Sequence, residues 1–441
     1  MGSFQAGQYE TQASVRMIDV GGASAPEAPT DLHSTGVREE NLSGMCLKFA
    51  LTTQHFTTEW MAERLCLPRG MVTRMLEELN THRLLEILGQ SDSGSYRFMI
   101  SDRGRERAAH LMEVSGYTGP APVSLEAYTS LLDSQCNNFP EVTSKGANDA
   151  LSELILPDDA KHIVGLALMS GRSLFVHGPS GSGKTSVGRM LHDALEGYIW
   201  IPHCIEVENS IIRLFDPQSH EVQPLDLSPL EERRVDHRWV RIKRPFIMVG
   251  GELTIDSLDL GFNPALKYYE APLHLKANGG TFLLDDFGRQ RVEPEQLLNR
   301  WILPLERQID FMTLRSGQMV QVPLRQMLVI STSMNPDELI DPAFMRRLGY
   351  RVYLGHPSHE QYTQIFARYA AQYEVAVTPS LTERLLARYV AEERPLRSCE
   401  PRDLIERARD ICRFQKMPME LNEEILDLAW LGYFGVPHVG V

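Results

Sequence analysis

The sequence predicts an α/β fold: a parallel sheet flanked by helices, followed by a helical C-terminal domain and preceded by a smaller helix-and-hairpin unit. Three observations carry this expectation. The apolar run Ser173-Leu174-Phe175-Val176-His177 reads as a short buried strand, and it passes through a Gly-rich stretch into an amphipathic helix at 186–195. A second apolar run, Thr281-Phe282-Leu283-Leu284, ends abruptly in Asp285 and Asp286. From about 358 to 433 the apolar spacing is predominantly helical. Strands that alternate with helices in this way belong to parallel sheets.

Composition sets the outer bounds. At 441 residues the chain is about three times a typical domain, so two to three domains are expected. Hydrophobic residues at 43% and charged residues at 23% suit a globular core. The net charge of −14, from 44 Lys and Arg against 58 Asp and Glu, argues against bulk attraction to nucleic acid or an anionic membrane. No apolar run approaches the roughly 20 residues that span a bilayer. The start Met1-Gly2-Ser3-Phe4-Gln5-Ala6 carries no basic and apolar signal segment, and position 6 is not the hydroxyl residue that favours myristoylation. Cys46, Cys66, Cys136, Cys204, Cys399 and Cys412 form no CxxC pair, so reduced thiols and a cytoplasmic location are expected.

Taken in order, residues 1–35 are rich in Gly, Ala, Ser, Thr and Pro without periodicity and read as a disordered, mobile arm. Residues 36–116 form the next unit. A short helix at 57–65 leads through Leu67-Pro68-Arg69-Gly70 to a second helix at 71–79, with Val72, Met75, Leu76 and Leu79 on one face. Segments 84–88 and 96–100 flank Ser91-Asp92-Ser93-Gly94-Ser95, which signals a hairpin, and a helix follows at 101–113. This order resembles a winged helix. In the DNA-binding version of that fold the helix at 71–79 enters the major groove. Ten Lys and Arg against eleven Asp and Glu over 36–115 lack the basic excess usual for that role. DNA binding and protein docking both remain open for this adaptor. Residues 117–150, with Pro120, Pro122 and Pro140, read as a linker carrying one helix near 124–135.

Gly178-Pro179-Ser180-Gly181-Ser182-Gly183-Lys184-Thr185 is a complete G-x-x-x-x-G-K-[ST] phosphate loop in the strand-to-helix context the motif requires. Its glycines let backbone N–H groups converge on phosphate oxygens, and the helix opening through Ser186 offers its positive end. Lys184 is expected on the β- and γ-phosphates of ATP, and the Thr185 hydroxyl on Mg²⁺. Asp285 is the matching metal-side carboxylate. Asp286 is expected to orient and polarise the attacking water.

Preceded by Ala277-Asn278-Gly279-Gly280, this acid-ended strand resembles that of the AAA+ ATPase family, and the resemblance extends over about 160–435. The pattern is similar to members with a hairpin before sensor 1, such as the MoxR-like ATPases. The Gly-Ala-Phe-Thr-Gly-Ala loop of the enhancer-binding activators is absent from the sequence. The resemblance implies an α/β P-loop nucleotide domain at 151–357, a helical lid at 358–441, and a homo-oligomeric ring, most often of six subunits. Phe311-Met312-Thr313-Leu314 and Met319-Val320-Gln321-Val322 flank Arg315-Ser316-Gly317-Gln318 and read as a hairpin by alternation and a Gly-containing turn. The resemblance makes it the pre-sensor-1 hairpin and places sensor 1 at Asn335. The arginine finger falls to Arg346 or Arg347, with Arg347 favoured, and sensor 2 to Arg402, which reaches the nucleotide from the lid. Asp286 stands where the family carries Glu; being one methylene shorter, it implies slow turnover.

The expectation is a Mg²⁺-dependent ATPase ring that remodels a protein client. Two alternatives stand beside it: a DNA-associated regulator acting through the adaptor, and a nucleotide-dependent switch with little turnover. Residues 203–245, with Arg233, Arg234, Arg238, Arg241 and Arg244 among interleaved acids, read as a solvated mixed-charge insertion. Their histidines match no zinc spacing. Trp239, Tyr268 and Tyr269 are either pore-facing aromatics or, more commonly for such residues, packed ones.

Overall fold

The computed structural model describes residues 15–90, 95–137, 149–152 and 154–435. Positions 1–14 of the expected arm, 91–94 of the expected hairpin turn, most of the expected linker beyond 137 and residues 436–441 lie outside the described residues.

Strands β1 (Met17–Val20) and β2 (Ala23–Pro26) pair antiparallel across Gly21 and Gly22, whose φ angles of 59° and 77° suit a tight glycine turn. Val20 and Ala25 are buried, and Trp200 Nε1 donates to the Ser24 carbonyl at 3.0 Å. The mobile-arm reading is therefore corrected for 17–26. A four-residue strand of small side chains carries no periodic signal, and its order comes from distant segments that cover it.

The next unit runs α1 (Glu39–Leu51), β3 (Phe56–Thr57), α2 (Thr58–Leu65), α3 (Arg69–Thr81), β4 (Leu85–Gln90), β5 (Tyr96–Ile100) and α4 (Asp102–Val114). Its antiparallel sheet has the order β3-β5-β4. Thr57 caps α2 by accepting from the Trp60 N–H, and Ser101 caps α4 by accepting from the Gly104 N–H. Val72, Met75, Leu76 and Leu79 are buried, as their spacing predicts.

β6 (Val123–Ser124) and α5 (Leu125–Asn137) follow, with Tyr128, Leu131 and Leu132 buried. The helix was expected, but the segment is no spacer; it is part of a core. After α6 (Asp158–Ser170) come β7 (Leu174–His177) and α7 (Lys184–Asp193). Then follow β8 (Tyr198–Pro202), β9 (Cys204–Val207), β10 (Ser210–Arg213), β11 (Trp239–Lys243) and β12 (Phe246–Val249). β13 (Gly261–Asn263), β14 (Tyr268–Glu270), α8 (Leu273–Lys276), β15 (Thr281–Leu284) and α9 (Pro294–Arg307) complete the middle of the chain. The hairpin β16 (Ile309–Thr313) and β17 (Met319–Pro323) precedes β18 (Met327–Thr332), α10 (Pro336–Leu339), α11 (Pro342–Met345) and β19 (Tyr350–Tyr353).

Two sheets organise these elements. The central one is wholly parallel in the order β12-β15-β18-β7-β19. The second, mixed, runs β13-β14-β10-β9-β6 and shares a core with the β1–β2 hairpin, α5, the β8–β11 ribbon and the β16–β17 hairpin. The solvated-insertion reading of 203–245 is corrected by this core: Ile205, Ile212, Trp239 and Ile242 are buried in it. Arg238 is buried too. It pairs with Asp236 at 2.8 Å and donates to the carbonyls of Thr35 and Pro122 at 3.0 and 3.1 Å, so one guanidinium ties three chain segments together. Tyr268 and Tyr269 are likewise packed.

The C-terminal helices α12 (His359–Ala371), α13 (Pro379–Ala391), α14 (Glu400–Gln415) and α15 (Glu423–Phe434) close around Tyr362, Tyr389 and Trp430. Among the described residues no helix is long and apolar enough to cross a membrane.

Candidate active site

β7 ends at His177 on the C-terminal edge of the central sheet, and the chain turns through 178–183 into α7. Gly178, at φ 149°, lies so close to β19 that a Cβ there would stand 2.0 Å from the Leu354 carbonyl oxygen. Gly183, at φ 94°, turns the chain into the helix. Both positions require glycine, for contact in the first case and for backbone conformation in both. Lys184 is 7% exposed, and its Nζ donates to the carbonyls of Gly178 and Pro179 at 3.0 and 2.8 Å. Burial holds the ammonium below its ordinary pKa, while Asp286 and Asp285 oppose that shift.

β15 pairs with β18 so that Leu284 lies opposite Ile330, which brings Asp285 beside Ser331. The Ser331 hydroxyl donates to Asp285, and Thr185 Oγ1 donates to both carboxylate oxygens at 3.1 and 2.9 Å. Residues distant in sequence thus fix one carboxylate at the head of the loop. A hydroxyl and a carboxylate are the hard oxygen donors that Mg²⁺ takes. Asp286 is exposed at φ 48°, a left-handed conformation that Asp tolerates better than most residues, and its N–H donates to Ser331 Oγ at 3.3 Å. The Ser182 hydroxyl is buried without a partner among the described residues, an unmet demand that a phosphate oxygen would satisfy.

The remaining expected residues are not gathered in the same way. Asn335 caps α10, accepting from the Asp337 N–H at 3.3 Å and donating to Glu338 at 3.2 Å. Arg347 pairs with Glu306 at 2.5 Å and donates to the Ala343 carbonyl. Arg346 is exposed and has no side-chain partner among the described residues. Arg402 binds its neighbour Asp403 at 3.0 Å, and the groups that raise its pKa, Asp403 first and then Glu406 and Tyr369, all belong to the lid. The lid meets the phosphate loop elsewhere. The Cys399 N–H donates to the Gly181 carbonyl at 3.1 Å, and a Cβ on Gly181 would meet Cys399 Sγ at 2.6 Å and Arg397 Cβ at 3.4 Å.

Ser331, Arg397 and Cys399 were not among the residues expected from sequence. Ser331 had a signal, the hydroxyl-rich strand end Ile330-Ser331-Thr332-Ser333. Arg397 and Cys399 had none, because their contact with the loop arises from the docking of the lid.

The sheet order, the phosphate loop, the acid-ended strand and the C-terminal helices define a P-loop α/β fold with a helical C-terminal domain. Residues 358–431 match the family model described as Domain of unknown function (DUF8689). No curated protein matches the sequence. Among solved structures, the chain is similar to the RuvB Holliday junction branch migration motor of Thermotoga maritima, with 14% identity and a TM-score of 0.38 over 65% of this chain and 74% of that one. It is also similar to NtrX from Brucella abortus in complex with ATP, with 15% identity and a TM-score of 0.38 over 74% of this chain and 62% of that one.

Proposed function

We propose that the protein is an AAA+ ATPase that converts ATP and water to ADP and phosphate and uses the cycle to act on a protein partner. The observation that carries this reading is the fixed group of Thr185, Asp285 and Ser331 beside the buried Lys184. Lys184 exchanges its two loop carbonyls for the β- and γ-phosphates, and the N–H groups of the loop and the start of α7 bind the remaining oxygens. Thr185 and Asp285 are the residues that would hold Mg²⁺, which supplies neutralising charge to the phosphates when bound. A water attacks the γ-phosphorus in line as the bond to the β–γ bridging oxygen breaks. That oxygen keeps the electron pair and leaves with ADP; Asp286 orients the water and takes up its proton.

The arginine finger is assigned to Arg346 in a ring of about six subunits. It is the unengaged cation of the pair, whereas Arg347 would first have to leave Glu306. Residues 36–116 serve as a winged-helix adaptor for protein. The surface of α3 mixes Arg69 and Arg74 with Glu77 and Glu78, and β4 and β5 expose Ile87, Leu88 and Tyr96. Mixed charge with exposed apolar side chains suits a protein surface better than a phosphate backbone.

The test is steady-state ATP turnover by the full chain, by Lys184→Ala and by Asp286→Asn. Each substitution is expected to lower turnover about a hundredfold. A wild-type rate no higher than that of either variant would refute hydrolysis.

A further inference from the structure

The arginines of 203–245 separate in the structure. Arg238 is absorbed by Asp236 and two carbonyls, and Arg244 is buried with donations to the carbonyls of Glu196 and Gly279. Arg241 is different. Its guanidinium lies 4.0 Å over the Tyr198 ring, and its side chain forms no ion pair or hydrogen bond among the described residues.

The β8–β11 register explains the position. Arg241 pairs with Trp200 and Lys243 with Tyr198, while Ile199, Ile201 and Ile242 between them face the core. Tyr198, Trp200 and Arg241 therefore share the opposite face of the ribbon. That face forms one wall of an open cleft of about 440 Å³, closed on its other sides by the β1–β2 hairpin and α5, which add Ser24 and Ser134. No Asp or Glu lines the cleft among the described residues, in a chain whose net charge is −14.

A guanidinium stacked on an aromatic ring is held flat, with its in-plane N–H donors free for a phosphate and its outer face free for a planar group. The volume suits one such unit. We propose that this cleft binds a nucleotide unit, a phosphate together with its base, either as a free mononucleotide or within a single strand. The site is separate from the phosphate loop.

Binding of AMP and of a fluorescein-labelled twelve-residue oligo-dT to the full chain would test this, by calorimetry and by anisotropy, with Lys184→Ala as a control for the loop. Arg241→Gln and Tyr198→Leu are each expected to weaken binding about tenfold, while Lys184→Ala leaves it unchanged. Both substitutions fall outside the core, and matching urea midpoints would show that folding is intact. Binding of AMP identifies the free nucleotide as the source; binding of the oligomer alone, with a steep salt dependence, identifies a strand. Absence of binding to both probes overturns the proposal. So does binding that Arg241→Gln leaves intact, or that Lys184→Ala removes.

Discussion

Gly181 is the residue at which phosphate loop and lid meet, and Arg397 is the lid cation lying against it. Arg402, the residue singled out by sequence, is instead turned toward Asp403. Affinity for a fluorescent ATP analogue should therefore fall about tenfold in Arg397→Ala, as for loss of a charge-assisted bond to phosphate, and stay within about twofold in Arg402→Ala. The reverse ranking would mean that Arg402 swings inward on binding. Asp286 offers a second residue-scale test. Its carboxyl is one methylene shorter than that of the Glu expected there, so Asp286→Glu should raise turnover several-fold with little change in affinity. A drop in turnover would show that the site is shaped around the shorter acid.

At the scale of elements, the hairpin β16–β17 was legible in its alternation and its Gly317 turn, but its attachment was not. Met312, Val320 and Val322 are buried in the second core, which leaves Phe311 and Met319 as its exposed apolar side chains. Its base is fixed by Asp310, which is 1% exposed. Asp310 accepts from His274 Nε2 at 2.9 Å and pairs with both terminal nitrogens of Arg300. These contacts join α8, α9 and β16, the elements on either side of the acid-ended strand. His274 and Arg300 hold the Asp310 carboxyl below its ordinary pKa against the opposing effect of burial. Asp310→Asn leaves Arg300 without its buried counter-charge and should cost about 3–5 kcal/mol in urea unfolding. A loss below about 1 kcal/mol would show that the hairpin is anchored by its apolar face alone. None of this network is local in sequence, so no periodic pattern announced it.

For the whole molecule, two histidines, the buried His192 and the half-buried His203, set an acid limit. Burial pushes His192 and His203 down to about 4 from an ordinary 6.5. The folded state thus favours the neutral imidazoles. Their contribution is complete above about pH 6.5 and is lost as pH falls from there toward 4. Each should remove about 2 kcal/mol between pH 6.5 and 5. Urea midpoints at pH 7.5 and pH 5 would check this, and His203→Leu should flatten the dependence. Equal midpoints at the two pH values would contradict burial of the neutral forms.

The sequence by itself determined what is set within a few adjacent residues: the loop from Gly178 to Thr185, the strand ending in Asp285 and Asp286, the buried face of α3, and the helical character of about 358–433. Glycine conformations, caps and helical spacing act over one or two turns of chain, so they can be read locally. Tertiary structure alone decided the rest. It made part of a supposed arm into a hairpin, made the expected linker helix α5 part of a wall, and turned a charge-rich insertion into a core. It also chose among the arginines, burying Arg238, engaging Arg347 and Arg402, and leaving Arg241 and Arg346 available. The physical reason is that burial and charge pairing depend on which distant segments come together. Those segments here range from Val20 to Leu324 in one core, and each is too short to state its partner.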